Sequence, residues 1–202
     1  MRVAEIRVDG MCKAYGGKRV LEGFQAAFPA GSVTGVVGPS GCGKTTLLHI
    51  LMGIERADAG TVTGVPHAKS AVFQEDRLLE GFNAVSNVRF VLGHRHPETD
   101  IRMHLEQVGL AGSLEQPVSE LSGGMRRRVA LVRALLAPSD IVFLDEAFKG
   151  LDTQTRTQAL AYVAANRRGR TVILVTHSPE EAGALGGGLI RMQMPDGLGG
   201  SG

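Results

Sequence analysis

The stretch Gly38-Pro39-Ser40-Gly41-Cys42-Gly43-Lys44-Thr45 decides how this chain is read. It fits the pattern G-x-x-x-x-G-K-[ST], follows a short apolar run at 32–37 (SVTGVV), and opens TTLLHILMG, whose apolar residues keep helical spacing up to Gly53. Strand, glycine loop and helix in that order let successive backbone N–H groups curl round an anion, and the helix adds about half a positive charge at its N-terminus. On this reading Gly38, Pro39, Ser40, Gly41, Cys42 and Gly43 cradle a β-phosphate, and Lys44 reaches the β- and γ-phosphates. The Thr45 hydroxyl holds Mg²⁺, and Thr46 belongs to the same nucleotide site. The competing reading is a Gly-rich turn that happens to precede Lys-Thr; the flanking strand and helix weigh against it.

Outward from that loop, 2–8 (RVAEIRV) and 19–28 (RVLEGFQAAF) read as antiparallel strands joined through a Gly-Gly turn. Ser70 to Phe73 reads as a strand ending at Gln74-Glu75-Asp76, and 83–136 as mostly helical, punctuated at Gly93, Pro97, Gly109, Gly112, Pro117 and Gly123-Gly124. The uninterrupted apolar runs 140–144 (DIVFL) and 171–175 (TVILV) suit a parallel sheet covered on both faces, with a helix over Thr153–Arg168 as the crossover. The expectation is one α/β domain over 1–202: a nucleotide-binding core with a mainly parallel sheet, an N-terminal antiparallel part, and a helical subdomain inserted at about 76–136. The Gly-rich end, 195–202, is expected to be mobile.

Composition narrows the classes. Glycine, 28 of 202 residues, is about twice its usual ~7% share, so several backbone segments turn tightly or approach something closely. Lysine plus arginine, 22, barely exceeds aspartate plus glutamate, 20, so no global basic field advertises nucleic acid, and any anion site is local. Cys12 and Cys42 have neither metal-ligand spacing nor the numbers of a disulfide framework, and suit a reducing compartment. No leader-like segment opens the chain and no run nears the ~18 apolar residues of a membrane span, so a cytoplasmic protein is expected.

Ile141-Val142-Phe143-Leu144-Asp145-Glu146 sets two carboxylates at the end of a buried strand, where open α/β sheets bind ligands. Asp145 is placed to support Mg²⁺ and its water, and Glu146 to polarise an attacking water, an effect worth ~10²–10⁴ in rate. Alone, two acids after a strand more often cap the next helix. Leu121-Ser122-Gly123-Gly124-Met125 then precedes a helix bearing Arg126, Arg127, Arg128 and Arg133. This resembles the signature motif of the ATP-binding-cassette (ABC) ATPases, and the order glycine loop, Gln74, signature, Asp145-Glu146, Asp152, His177 is that family's order over nearly the whole chain.

The resemblance implies roles residue by residue. Tyr15 stacks on adenine, against the alternative of a half-buried strand tyrosine. Gln74 senses Mg²⁺ and the attacking water, although a lone Gln at a strand end is usually a surface residue. His177 contacts the γ-phosphate, although a lone histidine is ordinarily structural. Ser122, Gly123 and Gly124 meet the nucleotide held by the glycine loop of a second ATPase subunit, identical or paralogous, so that a monomer is nearly idle. Arg126 to Arg128 are read as a solvated helix face in preference to a nucleic-acid contact.

Three positions depart from the family's pattern. Met125 stands for the common glutamine and Lys149 for a frequent serine. Gly186-Gly187-Gly188 replaces an acidic-basic pair, the chain stopping soon after with no regulatory domain expected. Val72 to Leu79 and Asp145 to Asp152 look particularly like the ATPases of nitrate, sulfonate and taurine-type importers. That likeness implies ATP and Mg²⁺ as cofactors, integral membrane permease subunits and an external solute-binding protein as partners, and a peripheral place on the inner face of the cell membrane. The pore subunit would insert a short helix between the helical lobe and the Gln74 loop. Two other classes remain: a soluble family member in DNA repair or translation, usually longer than this chain, and a regulatory subunit that never turns over, against which Glu146 and His177 argue.

Overall fold

A computed structural model describes residues 4–93 and 96–195. The strands are β1 (Ile6–Tyr15), β2 (Lys18–Phe28), β3 (Val33–Val37), β4 (Ala59–Thr63), β5 (Lys69–Val72), β6 (Ile141–Asp145), β7 (Thr171–Val175) and β8 (Gly188–Arg191). The helices are α1 (Lys44–Met52), α2 (Ala84–Leu92), α3 (Glu98–Gln107), α4 (Gly123–Leu136), α5 (Thr153–Asn166) and α6 (Pro179–Ala184). Residues 196–202 of the glycine-rich tail, for which mobility is expected, lie outside the described residues, as do 1–3.

Two sheets divide the work. β5-β6-β7-β3-β8 is parallel throughout, and β2-β1-β4 is antiparallel. β3, β6 and β7 are buried at every position, which is why their sequences run apolar without alternation. Their side chains still alternate in direction: Ile141 and Phe143 join Ile173 and Val175 in a core shared with Leu47 and Leu48 of α1 and Ile6, Val8 and Phe28 of the antiparallel sheet. Val142, Leu144, Val172 and Leu174 face the other way, into a core with α2, α4 and α5. A fully buried side chain such as Phe143 contributes about 2–3 kcal/mol relative to exposure.

The N-terminal hairpin differs from the sequence expectation. β1 carries on to Tyr15 instead of ending near residue 8, and Gly16-Gly17, both at positive φ, close a two-residue turn onto Lys18. The reason is a bulge: the register shifts between Val8 and Met11, around Gly10 at φ 61, and a break in pairing reads in sequence as a strand end. β4, α6 and β8 were not anticipated, being short and, in the two strands, mostly exposed.

Among the described residues between β5 and β6 the helices are α2, α3 and α4, with single 3-10 turns at Ala111–Ser113 and Val118–Glu120. Asn83 caps α2 by accepting from Ser86 N, and Ser122 caps α4 by accepting from Met125 N at 3.3 Å.

Candidate functional site

Four parallel strands deliver their C-terminal ends to one edge of the sheet. β3 leads into the glycine loop, β5 into Gln74, β6 into Asp145 and Glu146, and β7 into His177. A cleft of about 440 Å³ opens there, and its lining includes Tyr15, Lys44, Thr45, Gln74, Glu146 and His177. Ser40, Gly41, Gly43 and Thr46 also face it, as do two cations, Lys18 and Lys149.

Gly43 precedes α1 with φ 95, and a Cβ there would lie 2.8 Å from the Val20 carbonyl oxygen, so the loop needs glycine on both counts. Its left-handed turn aims the first amides of α1 into the cleft, where no side-chain cap competes for them. Lys44 Nζ donates to the carbonyls of Gly38 (2.9 Å) and Pro39 (2.8 Å), which keeps its charge folded over the loop. Cys42, fully buried, serves as packing beneath it.

Thr45 Oγ1 donates to Asp145 Oδ1 at 3.5 Å, although β3 and β6 are separated by β7. Asp145 is only 1% exposed. Burial pushes its carboxyl up; the Thr45 hydrogen bond opposes that shift without cancelling it. A hydroxyl and a carboxylate in this proximity form the hard-oxygen pair that suits a Mg²⁺ ion otherwise held by phosphates and water.

Glu146 sits at φ 48, an uncommon left-handed conformation for a residue with a side chain, and its N–H donates to Val175 O at 2.9 Å. That bend turns its carboxylate out of the sheet into the cleft. His177 Nε2 donates to Oε1 at 2.9 Å and Lys149 Nζ to Oε2 at 2.6 Å. Burial raises the Glu146 carboxyl, but the hydrogen bonds and charges of Lys149 and His177 outweigh it and hold the group below its ordinary value.

Gln74 is exposed on a loop whose backbone is pinned from α4. Arg127 donates to the Phe73 and Gln74 carbonyls at 2.6 and 2.7 Å and lies 3.1 Å from Asp76, while Arg133 donates to the carbonyls of Asp76 and Arg77. Arg128 donates to the carbonyls of Val108 and Gly109. The expectation of a solvated face for Arg126 to Arg128 is therefore corrected: Arg127 is buried and Arg128 half-buried, because loop carbonyls with no strand partner need donors. A run of three arginines carries no mark of this; the acidic Glu75-Asp76 pair in the facing loop was the available signal.

Tyr15, at the end of β1, is 45% exposed, and its phenol donates to Glu55 at 2.5 Å. Lys13, paired with Glu55 and Asp58, stands 5.2 Å from the ring centroid. Glu55 and Lys13 were not anticipated as supports for this ring. Ser122, Gly123 and Gly124 do not line the cleft; they open α4 on a separate part of the surface, and a Cβ on Gly123 would meet nothing.

A parallel sheet whose first glycine loop, acidic strand end and following histidine converge on one cleft defines a P-loop nucleoside triphosphatase. The sequence profile of the ABC transporter family matches residues 21–149, and the chain belongs to that family: it is an ATP-binding, ATP-hydrolysing ABC subunit. It is 36% identical over 205 residues to the "Aliphatic sulfonates import ATP-binding protein SsuB 1" of Pseudomonas syringae pv. syringae, an alignment covering 96% of this chain and 86% of that one. It is 39% identical over 181 residues to SsuB 3 of Nocardia farcinica (89% and 73% covered) and 42% identical over 181 residues to SsuB 1 of Rhodococcus jostii (86% and 73% covered). Among the described residues no helix is long and apolar enough to cross a membrane.

Proposed function

We propose that this chain powers import of a small solute through separate membrane subunits, hydrolysing ATP in a head-to-tail pair on the inner face of the cell membrane. The observation that carries the reading is the division of the site: Lys44, Thr45, Asp145, Glu146, Gln74 and His177 gather around one cleft or directly beneath it, whereas Ser122-Gly123-Gly124 present the open N-terminus of α4 elsewhere. A second subunit can offer that helix end to a γ-phosphate that the first subunit's glycine loop holds. Import as the direction, and aliphatic sulfonates as the first cargo to test, follow the names of the relatives.

In this reading the loop amides and Lys44 bind the phosphates, and Tyr15 stacks on the base. Thr45 and Asp145 hold Mg²⁺, which neutralises charge on the β- and γ-oxygens when bound. Glu146 orients and deprotonates the attacking water, His177 fixes Glu146 and reaches the γ-phosphate, and Gln74 reports on the water and the metal. Exposed Leu79, Phe82, Phe90 and Val91 lie on the helical part just past the Gln74 loop, with the Phe82 and Phe90 rings 5.9 Å apart, and supply an apolar seat for a permease helix. Closure of the pair would move that seat as a rigid body.

The test is recovery of the tagged Glu146→Gln protein from native membranes in mild detergent, with partners identified by mass spectrometry. A polytopic membrane protein and an extracytoplasmic solute-binding protein are expected. Only ribosomal or DNA-associated proteins would overturn the transport reading and leave the ATPase chemistry standing.

A further inference from the structure

Lys149, like Lys18, is a charged side chain of the cleft lining to which the phosphates and the metal give no role, and it is the one that contacts Glu146. It lies in the turn that follows β6, between buried Phe148 (0% exposed) and buried Leu151 (4%). Lys149 N donates to Glu146 O at 3.1 Å and Leu151 N to Phe148 O at 3.3 Å, so the turn is fixed from both sides and residue 149 is directed outward. From there its ammonium reaches Glu146 Oε2 at 2.6 Å, while Oε1 accepts a hydrogen bond from His177 Nε2 at 2.9 Å. Both oxygens of the carboxylate are thus engaged by donors. Each oxygen can accept more than one hydrogen bond, but a water that is to be deprotonated must share its acceptor with a donor already in place and give its proton to a carboxylate that a cation stabilises as the anion. The two partners differ in setting: the Lys149 side chain is 59% exposed and the Glu146 side chain 12%. An exposed ammonium on a flexible stem leaves such a pair at little cost, so the contact is a reversible one.

We propose that Lys149 is a latch on Glu146: in the single chain its ammonium occupies the carboxylate oxygen that the attacking water requires, and withdrawing it is part of assembling the two-chain site. The inference rests on the assignment of Glu146 as the base. Lys149 is a positioning residue in this scheme. It represses hydrolysis by a lone chain and makes turnover depend on a second copy more steeply than nucleotide binding alone would.

The experiment measures phosphate release against protein concentration for the wild type, Lys149→Ser, Lys149→Arg, Glu146→Gln and the Glu146→Gln/Lys149→Ser double variant. Binding of a fluorescent ATP analogue and thermal unfolding are followed in parallel. Lys149→Ser is expected to raise turnover at low protein concentration about two- to fivefold, the range set by release of one exposed ion pair, and to flatten the concentration dependence, with nucleotide affinity and unfolding temperature unchanged. Lys149→Arg keeps the charge and restores the wild-type steepness. In the Glu146→Gln background, which lacks the base, the serine substitution leaves turnover, nucleotide binding and unfolding temperature unchanged, whereas a merely structural lysine would lower one of the last two. A fall in turnover or in ATP affinity on Lys149→Ser, or an unchanged rate beside an inactive Glu146→Gln, overturns the latch. Wild-type turnover from Glu146→Gln overturns instead the base assignment on which it rests.

Discussion

His177 Nε2 stands 2.9 Å from Glu146 Oε1, although the residues are 31 positions apart and follow different strands. The register of the sheet produces the contact. Asp145 pairs with Val175, Glu146 N continues the ladder to Val175 O, and the next residues of β6 and β7 leave the sheet at the same level. The imidazole then fixes one rotamer of a carboxylate that a left-handed backbone has already turned out of the sheet.

His177→Ala removes that restraint and, in the proposed mechanism, a donor at the γ-phosphate. Turnover is expected to fall about 10²-fold, within the range for one positioned proton-handling group, with ATP affinity changed little. Phosphate release beside equilibrium nucleotide binding separates the two effects; an equal loss in both would assign His177 to binding alone.

Arg127 ties the Gln74 loop to α4. Replacing it with alanine leaves the Phe73 and Gln74 carbonyls without their donor and the half-buried Asp76 without its nearest cation. Burial holds the Asp76 carboxyl above its ordinary value even with three arginines opposing the shift, so losing the nearest one favours the neutral acid still more. The expected cost is about 2–4 kcal/mol in urea unfolding, and Gln74 is released from its place, lowering turnover as well. Arg127→Lys, a point charge that cannot fork across two carbonyls, recovers only part of either.

The parallel core was legible because its strands are buried on both faces and its chemistry is local: Gly38 to Thr45 and Asp145-Glu146 each carry their role in consecutive residues. The 171–175 strand fell in register with the prediction for the same reason. What escaped was long-range or solvent-facing. β4 pairs only at the edge of β1, with a mostly exposed face that leaves no hydrophobic period. The arginines of α4 look like surface charge until the strandless loop from Phe73 to Arg77 is set against them. Lys149 stood out as a departure from pattern, but its contact with Glu146 depends on a three-residue turn whose direction Phe148 and Leu151 set by being buried.

A second buried pair links the helical region to the core. His104 of α3 and Tyr162 of α5 share a 3.1 Å hydrogen bond and pack edge to face. Burial, reinforced by the charge of Arg168, depresses the His104 pKa. A histidine depressed in the folded state is protonated more readily when unfolded, so its contribution is fully present above the unfolded value of about 6.5 and is lost as pH falls below it. The wild type is expected to lose about 1 kcal/mol or less from this group between pH 7 and pH 5.5. His104→Gln should be less stable at neutral pH, where the hydrogen bond is altered, yet show a shallower decline on acidification. An identical loss of unfolding free energy between pH 7 and pH 5.5 in the wild type and His104→Gln, measured by urea unfolding, would rule out a role for His104 in the pH dependence.

Tyr15 offers the sharpest separation of packing from hydrogen bonding at the nucleotide. Its ring is presented by the last residue of β1, and its phenol is held by Glu55, which Lys13 and the same strand keep in place. If the ring face is what the base uses, Tyr15→Phe retains the stacking surface and loses only the tether, for a few-fold loss of ATP affinity. Tyr15→Ala removes the surface, and base stacking on an aromatic is worth about 1–3 kcal/mol, a weakening of roughly 5- to 150-fold in Kd. In the proposed mechanism Gly38 to Thr46 bind the triphosphate independently of the ring, so inorganic triphosphate should bind all three proteins equally. A loss of triphosphate binding in Tyr15→Ala would mean that the ring supports the glycine loop and does not touch the base.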